Sequence, residues 1–212
     1  MNNVKRLTLW SCGALVPAVV MLLLTGCETP KEQTHTKTTT TSTTVVAPTT
    51  PAVTEAAPPT RTIRIDAGSD TNYVDAAGNV WLADQGFADG EVVTRDADMP
   101  IADTEDAPLY RTEHYDMSTF SENVPDGKYT VKLHFAETYD GISGPGDRVF
   151  SFNVGGQHEF KDFDIWAKAG GSQKAYVVEV PDVEVADGKL TITFTANAQS
   201  PAINAIEIIP EE

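Results

Sequence analysis

The tightest constraint on this chain is an alternation with a period of two. Between Lys128 and Ala136, Tyr129, Val131, Leu133 and Phe135 fall on one side, and Thr130, Lys132 and His134 on the other. The same spacing recurs in Arg148–Val154, with Phe150, Phe152 and Val154 in phase. It recurs again in Lys189–Thr195, where Leu190, Ile192 and Phe194 alternate with threonines. Successive side chains of a strand point to opposite faces, so the pattern predicts strands with one buried and one solvated face. His134 is accordingly expected in solvent. Ile63 and Ile65 mark a first strand, and Ile206 and Ile208 a last one. Asp126-Gly127, Gly155-Gly156 and Asp187-Gly188 supply turns between the runs. No amphipathic helix longer than two turns stands out, and no internal repeat. Residues 61–212 therefore read as all-β, a β-sandwich of jelly-roll or immunoglobulin-like topology.

The first 60 residues read differently. Lys5 and Arg6 precede an apolar stretch from Leu7 to Leu24, which ends in small residues like a secretory signal. Leu24-Thr25-Gly26-Cys27 resembles the lipobox of bacterial lipoproteins. That resemblance implies a lipid on the Cys27 thiol, cleavage just before it, and an envelope location facing outside the cytoplasm. Residues 28–60 are rich in Thr, Pro and Ala without hydrophobic period, which predicts a disordered tether. The expected plan is a signal peptide over 1–26, a lipidated cysteine and linker over 27–60, and one sandwich domain over 61–212.

Charge narrows the partners. The chain carries a formal charge of -16, and nearly all of the acidic excess lies beyond residue 60. Such a surface repels phosphate backbones, so nucleic acid is excluded as a partner. The two cysteines, Cys12 and Cys27, both precede the domain, so no disulfide can brace it.

Familiar catalytic and nucleotide signatures are missing. Gly144-Pro145-Gly146 lacks a third glycine and a following helix. No nucleophile elbow, phosphate loop or zinc spacing appears. Glu113 and Glu137 could be offered as a pair of glycosidase carboxylates, but chance pairs are common in so acidic a chain. The expectation is a binding protein rather than an enzyme. No cofactor is expected, although Asp66, Asp70 and Asp75 could serve a structural calcium ion. Tyrosines at strand ends are more informative. Tyr110 and Tyr115 share one segment, and Tyr139 ends another beside a Gly/Pro loop. A tyrosine ring can stack on the C–H face of a sugar while its hydroxyl shares hydrogen bonds.

Several words in these segments carry a resemblance. They are Asp66-Ala67-Gly68, Asn79 to Asp84, Leu109 to Tyr115, Gly127-Lys128-Tyr129, and Leu133 to Glu137. Arg148-Val149-Phe150, Lys161 to Ile165 and Pro201 to Ile208 follow in order. Together they resemble the malectin family of carbohydrate-binding domains. The resemblance implies a jelly-roll sandwich of the galactose-binding-like kind, with an oligosaccharide or polysaccharide held by loops at one end. It assigns aromatic contacts to Tyr115 and Tyr139. Asp140 stands where the family has a second aromatic, and Gln199 where it has an aspartate. A further family tyrosine has no counterpart between Gly90 and Arg95. The alternative function is a structural or protein-interaction domain of the envelope that has lost the sugar site.

Overall fold

The computed structural model describes residues 61–212. Cys27, the signal peptide and the tether lie outside the described residues. In chain order the strands are β1 (Ile63–Asp66), β2 (Tyr73–Val74), β3 (Val80–Trp81), β4 (Glu91–Thr94) and β5 (Thr112–Tyr115). Next come β6 (Thr119–Asn123), β7 (Gly127–Phe135), β8 (Val149–Val154) and β9 (His158–Phe163). β10 (Tyr176–Val185), β11 (Lys189–Ala198), β12 (Ala202–Ile203) and β13 (Ala205–Pro210) complete the set. One short helix, α1 (Ile165–Ala169), follows β9.

Two four-stranded sheets, β1-β13-β7-β10 and β6-β11-β8-β9, enclose the core. Every pairing between strands is antiparallel. First and last strands lie side by side, as in a jelly roll. The predicted alternation sets the inner faces. Tyr129, Val131, Leu133 and Phe135 of β7 meet Phe150, Phe152 and Val154 of β8 and Leu190, Ile192 and Phe194 of β11, all buried. Phe163 packs against Phe135 with ring centroids 4.9 Å apart. Such offset aromatic pairs add attraction beyond the burial of their area.

β10 carries no clean alternation. A bulge between Val180 and Val183 shifts its register against β7, and Asp182 takes φ +56° there. The extra residue moves the buried set from Val178 and Val180 to Val183 and Val185.

His134 departs from the expectation that it is solvated: it is buried. Its ring meets Trp81 edge-on at 5.4 Å, its Nδ1 shares a 2.9 Å hydrogen bond with the Tyr110 hydroxyl, and its Nε2 lies 3.2 Å from Glu207 Oε1. Arg64 Nε donates to the same glutamate at 2.8 Å. The reason lies in the segment between β1 and β5. It wraps the outer face of the first sheet and builds a second small core from Trp81, Ile101, Leu109 and Tyr110. A polar position on a strand is solvated only if nothing covers that face.

Candidate functional site

β12-β5-β4 form a third, three-stranded sheet near the end of the sandwich where β7 and β11 leave and β8 enters. β5 is its centre, and the sequence words before and after it hold it in place. Thr112 Oγ1 donates to Asp66 Oδ1 at 2.6 Å. Gly68, at φ +84°, passes so close beneath Glu113 that a Cβ would sit 2.5 Å from its carbonyl oxygen. Only glycine fits that approach and that dihedral. Gly68 N donates to Asp84 Oδ1 at 2.8 Å, and Asp84 Oδ1 in turn lies 3.0 Å from His114 Nδ1. His114 stacks on Phe87 with centroids 3.8 Å apart. Burial opposes the charged form of His114, but the Asp84 carboxylate and the Asp89 carbonyl outweigh it and raise its pKa above the ordinary value. Asn204 closes the frame from the other side. Its Oδ1 accepts from Ala136 N at 2.6 Å, and its Nδ2 donates to the Thr112 carbonyl at 2.7 Å.

Alternation along β5 turns His114 one way and Glu113 and Tyr115 the other. On β4, Val93 lies opposite Glu113, and Arg95 follows two residues on. These four side chains form one wall of a cavity of about 280 Å³. Tyr139, Arg148, Gln199 and Ser200 form the rest. Beneath Tyr115 and Tyr139 lie two buried carboxylates. Glu113 accepts from Thr138 Oγ1 at 2.8 Å and from Arg95 Nη2 at 3.4 Å. Glu137 accepts from Arg148 Nε at 2.8 Å and from Tyr139 N at 3.1 Å. Arg148 Nη1 also donates to the Ser200 carbonyl at 2.7 Å. Burial raises the Glu137 carboxyl above its ordinary pKa, with Arg148 opposing and the charge of Glu113 adding.

Tyr139 is 43% exposed, a large share for an aromatic ring. Gly141 lies against that ring, where any Cβ would overlap it. Its missing side chain thus leaves the ring room to face the cavity. Gln199 reaches the rim from a left-handed backbone at φ +62°, and Asp116, just after Tyr115, takes φ +59°. Non-glycine residues in that region are uncommon and cluster where a site dictates the geometry.

Three of the four residues singled out from the sequence, Tyr115, Tyr139 and Gln199, therefore line the same cavity. Asp140 is exposed and is not part of the lining. Val93, Arg95, Arg148 and Ser200 were not anticipated. Glu113 and Glu137 were considered only as a catalytic pair, and each now has an arginine partner. Asp66, Asp70 and Asp75 do not gather: Asp75 binds Asn79 and the Trp81 indole, Asp66 binds Thr112. Among the described residues no group of three or more His, Cys, Asp or Glu is placed to hold a metal ion.

A family model described as the malectin domain matches residues 61–208. The chain belongs to the malectin family. Its similarity to curated relatives is partial. Receptor-like protein 4 of Arabidopsis thaliana is 37% identical over 102 residues, covering 47% of this chain and 16% of the relative. Malectin-B of Xenopus laevis is 33% identical over 107 residues, covering 46% of this chain and 37% of the relative. This malectin domain thus spans well under half the length of those proteins. Among solved structures, a Bacteroides uniformis β-glucuronidase superposes with a TM-score of 0.64 at 19% identity, over 72% of this chain and 18% of that one. A crystal structure of the plant peptide RALF23 in complex with FER and LLG2 contains a chain that superposes with a TM-score of 0.57 at 18% identity, over 70% of this chain and 48% of that one. At such identities the structural likeness speaks for the sandwich fold alone.

Proposed function

We propose that this protein is a carbohydrate-binding module of the bacterial cell envelope, tethered to a membrane by lipid on Cys27. One observation carries the binding half: Tyr115 and Tyr139, 24 positions apart in sequence, line the same cavity with hydrogen-bonding groups beside them. A volume near the lower end of the roughly 300–1,000 Å³ typical of small-molecule sites suits about one or two sugar rings. The tyrosines offer ring faces to sugar C–H groups, while Gln199 and Arg95 address the hydroxyls. The reading gives Glu113 and Glu137 a positioning role, each being held by an arginine and a hydrogen bond. The reading calls on no cofactor. The anchor half rests on the Leu24–Cys27 word after an apolar run. Two or more acyl chains hold a protein stably at a bilayer.

A glycan array probed with the full chain in detergent tests the binding half, and the expected result is a defined set of bound oligosaccharides. If no glycan is retained at millimolar concentration, the protein-interaction reading takes its place. RALF23 bound with FER and LLG2 gives that alternative a precedent on the same fold. Cys27→Ser followed by membrane fractionation tests the anchor. The variant is expected to stay unprocessed and to lose acylation; normal processing would remove the lipoprotein reading.

A further inference from the structure

The charged groups of the cavity are unequally engaged. Arg148 donates to Glu137 through Nε and Nη2 and to Ser200 through Nη1, and its side chain is 6% exposed. Glu113 is 2% exposed and accepts from Thr138 and Arg95. Arg95 differs. Its side chain is 18% exposed, its Nε donates to Thr138 Oγ1 at 3.1 Å, and its Nη2 reaches Glu113 only at 3.4 Å. Among the described residues Nη1 has no acceptor within hydrogen-bond distance. Both groups line the cavity, and the guanidinium of Arg95 is the more exposed of the two, 18% against 2% for Glu113.

Resting on the sugar-binding reading, we propose that Arg95 is the specificity-determining donor of the site, its free edge gripping two adjacent oxygens of the ligand. The guanidinium is a planar fork, with N–H groups spaced for paired acceptors. Thr138 and Glu113 hold its other side, so the fork is oriented before the ligand arrives and little freedom is lost on binding. Two ligand sources share this chemistry: vicinal hydroxyls of a neutral sugar, and the carboxylate of a uronic acid. Tyr115 and Tyr139 tolerate many rings because every pyranose has an apolar face. Arg95 is what fixes which edge of the ring enters.

The probes are two immobilised panels, neutral gluco-, galacto- and manno-oligosaccharides and uronic-acid oligosaccharides, read with the full chain. Calorimetry on the tightest binder then compares the parent with Arg95→Lys, Arg95→Gln and Tyr139→Ala. Both Arg95 variants are expected to weaken binding roughly ten- to hundredfold, the scale of lost hydrogen bonds to a charged group. Lysine restores little, because it keeps the charge and loses the fork. A neutral binder insensitive to salt assigns the hydroxyls; an acidic binder weakened by salt assigns the carboxylate. A ligand analogue lacking one of the two oxygens separates contact from packing. It should bind the parent less tightly, yet cost nothing further in Arg95→Gln. Additive losses would make Arg95 a structural residue and overturn the proposal, as would parental affinity in Arg95→Lys. If Tyr139→Ala loses binding and the Arg95 variants do not, only this inference falls. If neither panel binds the parent, the sugar-binding reading falls with it.

Discussion

The space between the two large sheets and the cavity at their end are built from opposite materials. Between the sheets, Phe135, Phe150, Phe152, Leu190 and Ile192 are buried with nothing to hydrogen-bond. Around the cavity, buried groups are polar and tied in pairs: Glu113 with Thr138 and Arg95, Glu137 with Arg148, Asn204 with Ala136 and Thr112. Burial of apolar surface is tolerant of direction, whereas a hydrogen bond or ion pair fixes distance and angle. The first region gives the domain its stability. The second holds Tyr115, Tyr139 and Arg95 in register at a cost in desolvation.

The sharpest way to break this contrast is in the apolar region. Phe135→Ala should remove about 3–5 kcal/mol of stability, the scale of a buried aromatic truncated to a cavity. Denaturant unfolding measures it, and a loss under about 1 kcal/mol would mean that the core is not packed as described. Next comes the buried pair. Arg148→Leu leaves Glu137 unpaired in a buried site and should cost about 3 kcal/mol. The double variant Arg148→Leu with Glu137→Leu should cost less than that single change, because no charge is stranded. If the double loss is the sum of two single losses, the residues do not act as a pair.

A smaller effect belongs to Asp66, the residue that ties β1 to β5. Its pKa is pushed up to about 6 by burial, partly opposed by the Thr112 hydrogen bond. The folded state thus favours the protonated form. The stability this contributes is complete below the unfolded value of 3.8 and is lost as pH rises through about 6. Asp66→Asn keeps an acceptor for Thr112 and removes the titration. Its stability relative to the parent should improve by about 2 kcal/mol between pH 4 and 7; a difference that is flat with pH would contradict the assignment. The smallest stability effect is expected at Tyr139. As an exposed ring it should cost less than about 0.5 kcal/mol on truncation to Ala, so thermal melting should barely move.

The same contrast explains what the sequence could show. Periodicity reveals residues buried for their apolarity, so β7, β8 and β11 were legible. β10 was not, because Pro181 and Asp182 sit in a bulge that reverses the phase of its valines. His134 was misread for a related reason: alternation reports a polar position but not the Trp81 and Tyr110 that cover it. The cavity depends on residues far apart in the chain. Tyr115 and Tyr139 stood out as tyrosines at strand ends, whereas Gln199 was reached only through the family words. Arg95 and Arg148 look like ordinary surface charges in a chain with 31 acidic residues to pair with. Only the fold shows which carboxylates they meet. Arg148 did open one of the quoted words, and a cation at the entry of a buried strand is a signal that such a partner is needed.

Under the proposed function, Tyr115 and Tyr139 form one binding surface. This claim is tested most directly by calorimetry, titrating the tightest array-selected oligosaccharide into the parent, Tyr115→Ala and Tyr139→Ala, with melting temperatures recorded alongside. Each substitution should weaken binding by about 1–3 kcal/mol, the scale of a truncated interface aromatic. That corresponds to roughly five- to hundredfold in affinity. Tyr139→Ala should do so with its melting temperature unchanged. Parental affinity in both variants, with both folded, would place the sugar somewhere other than this cavity.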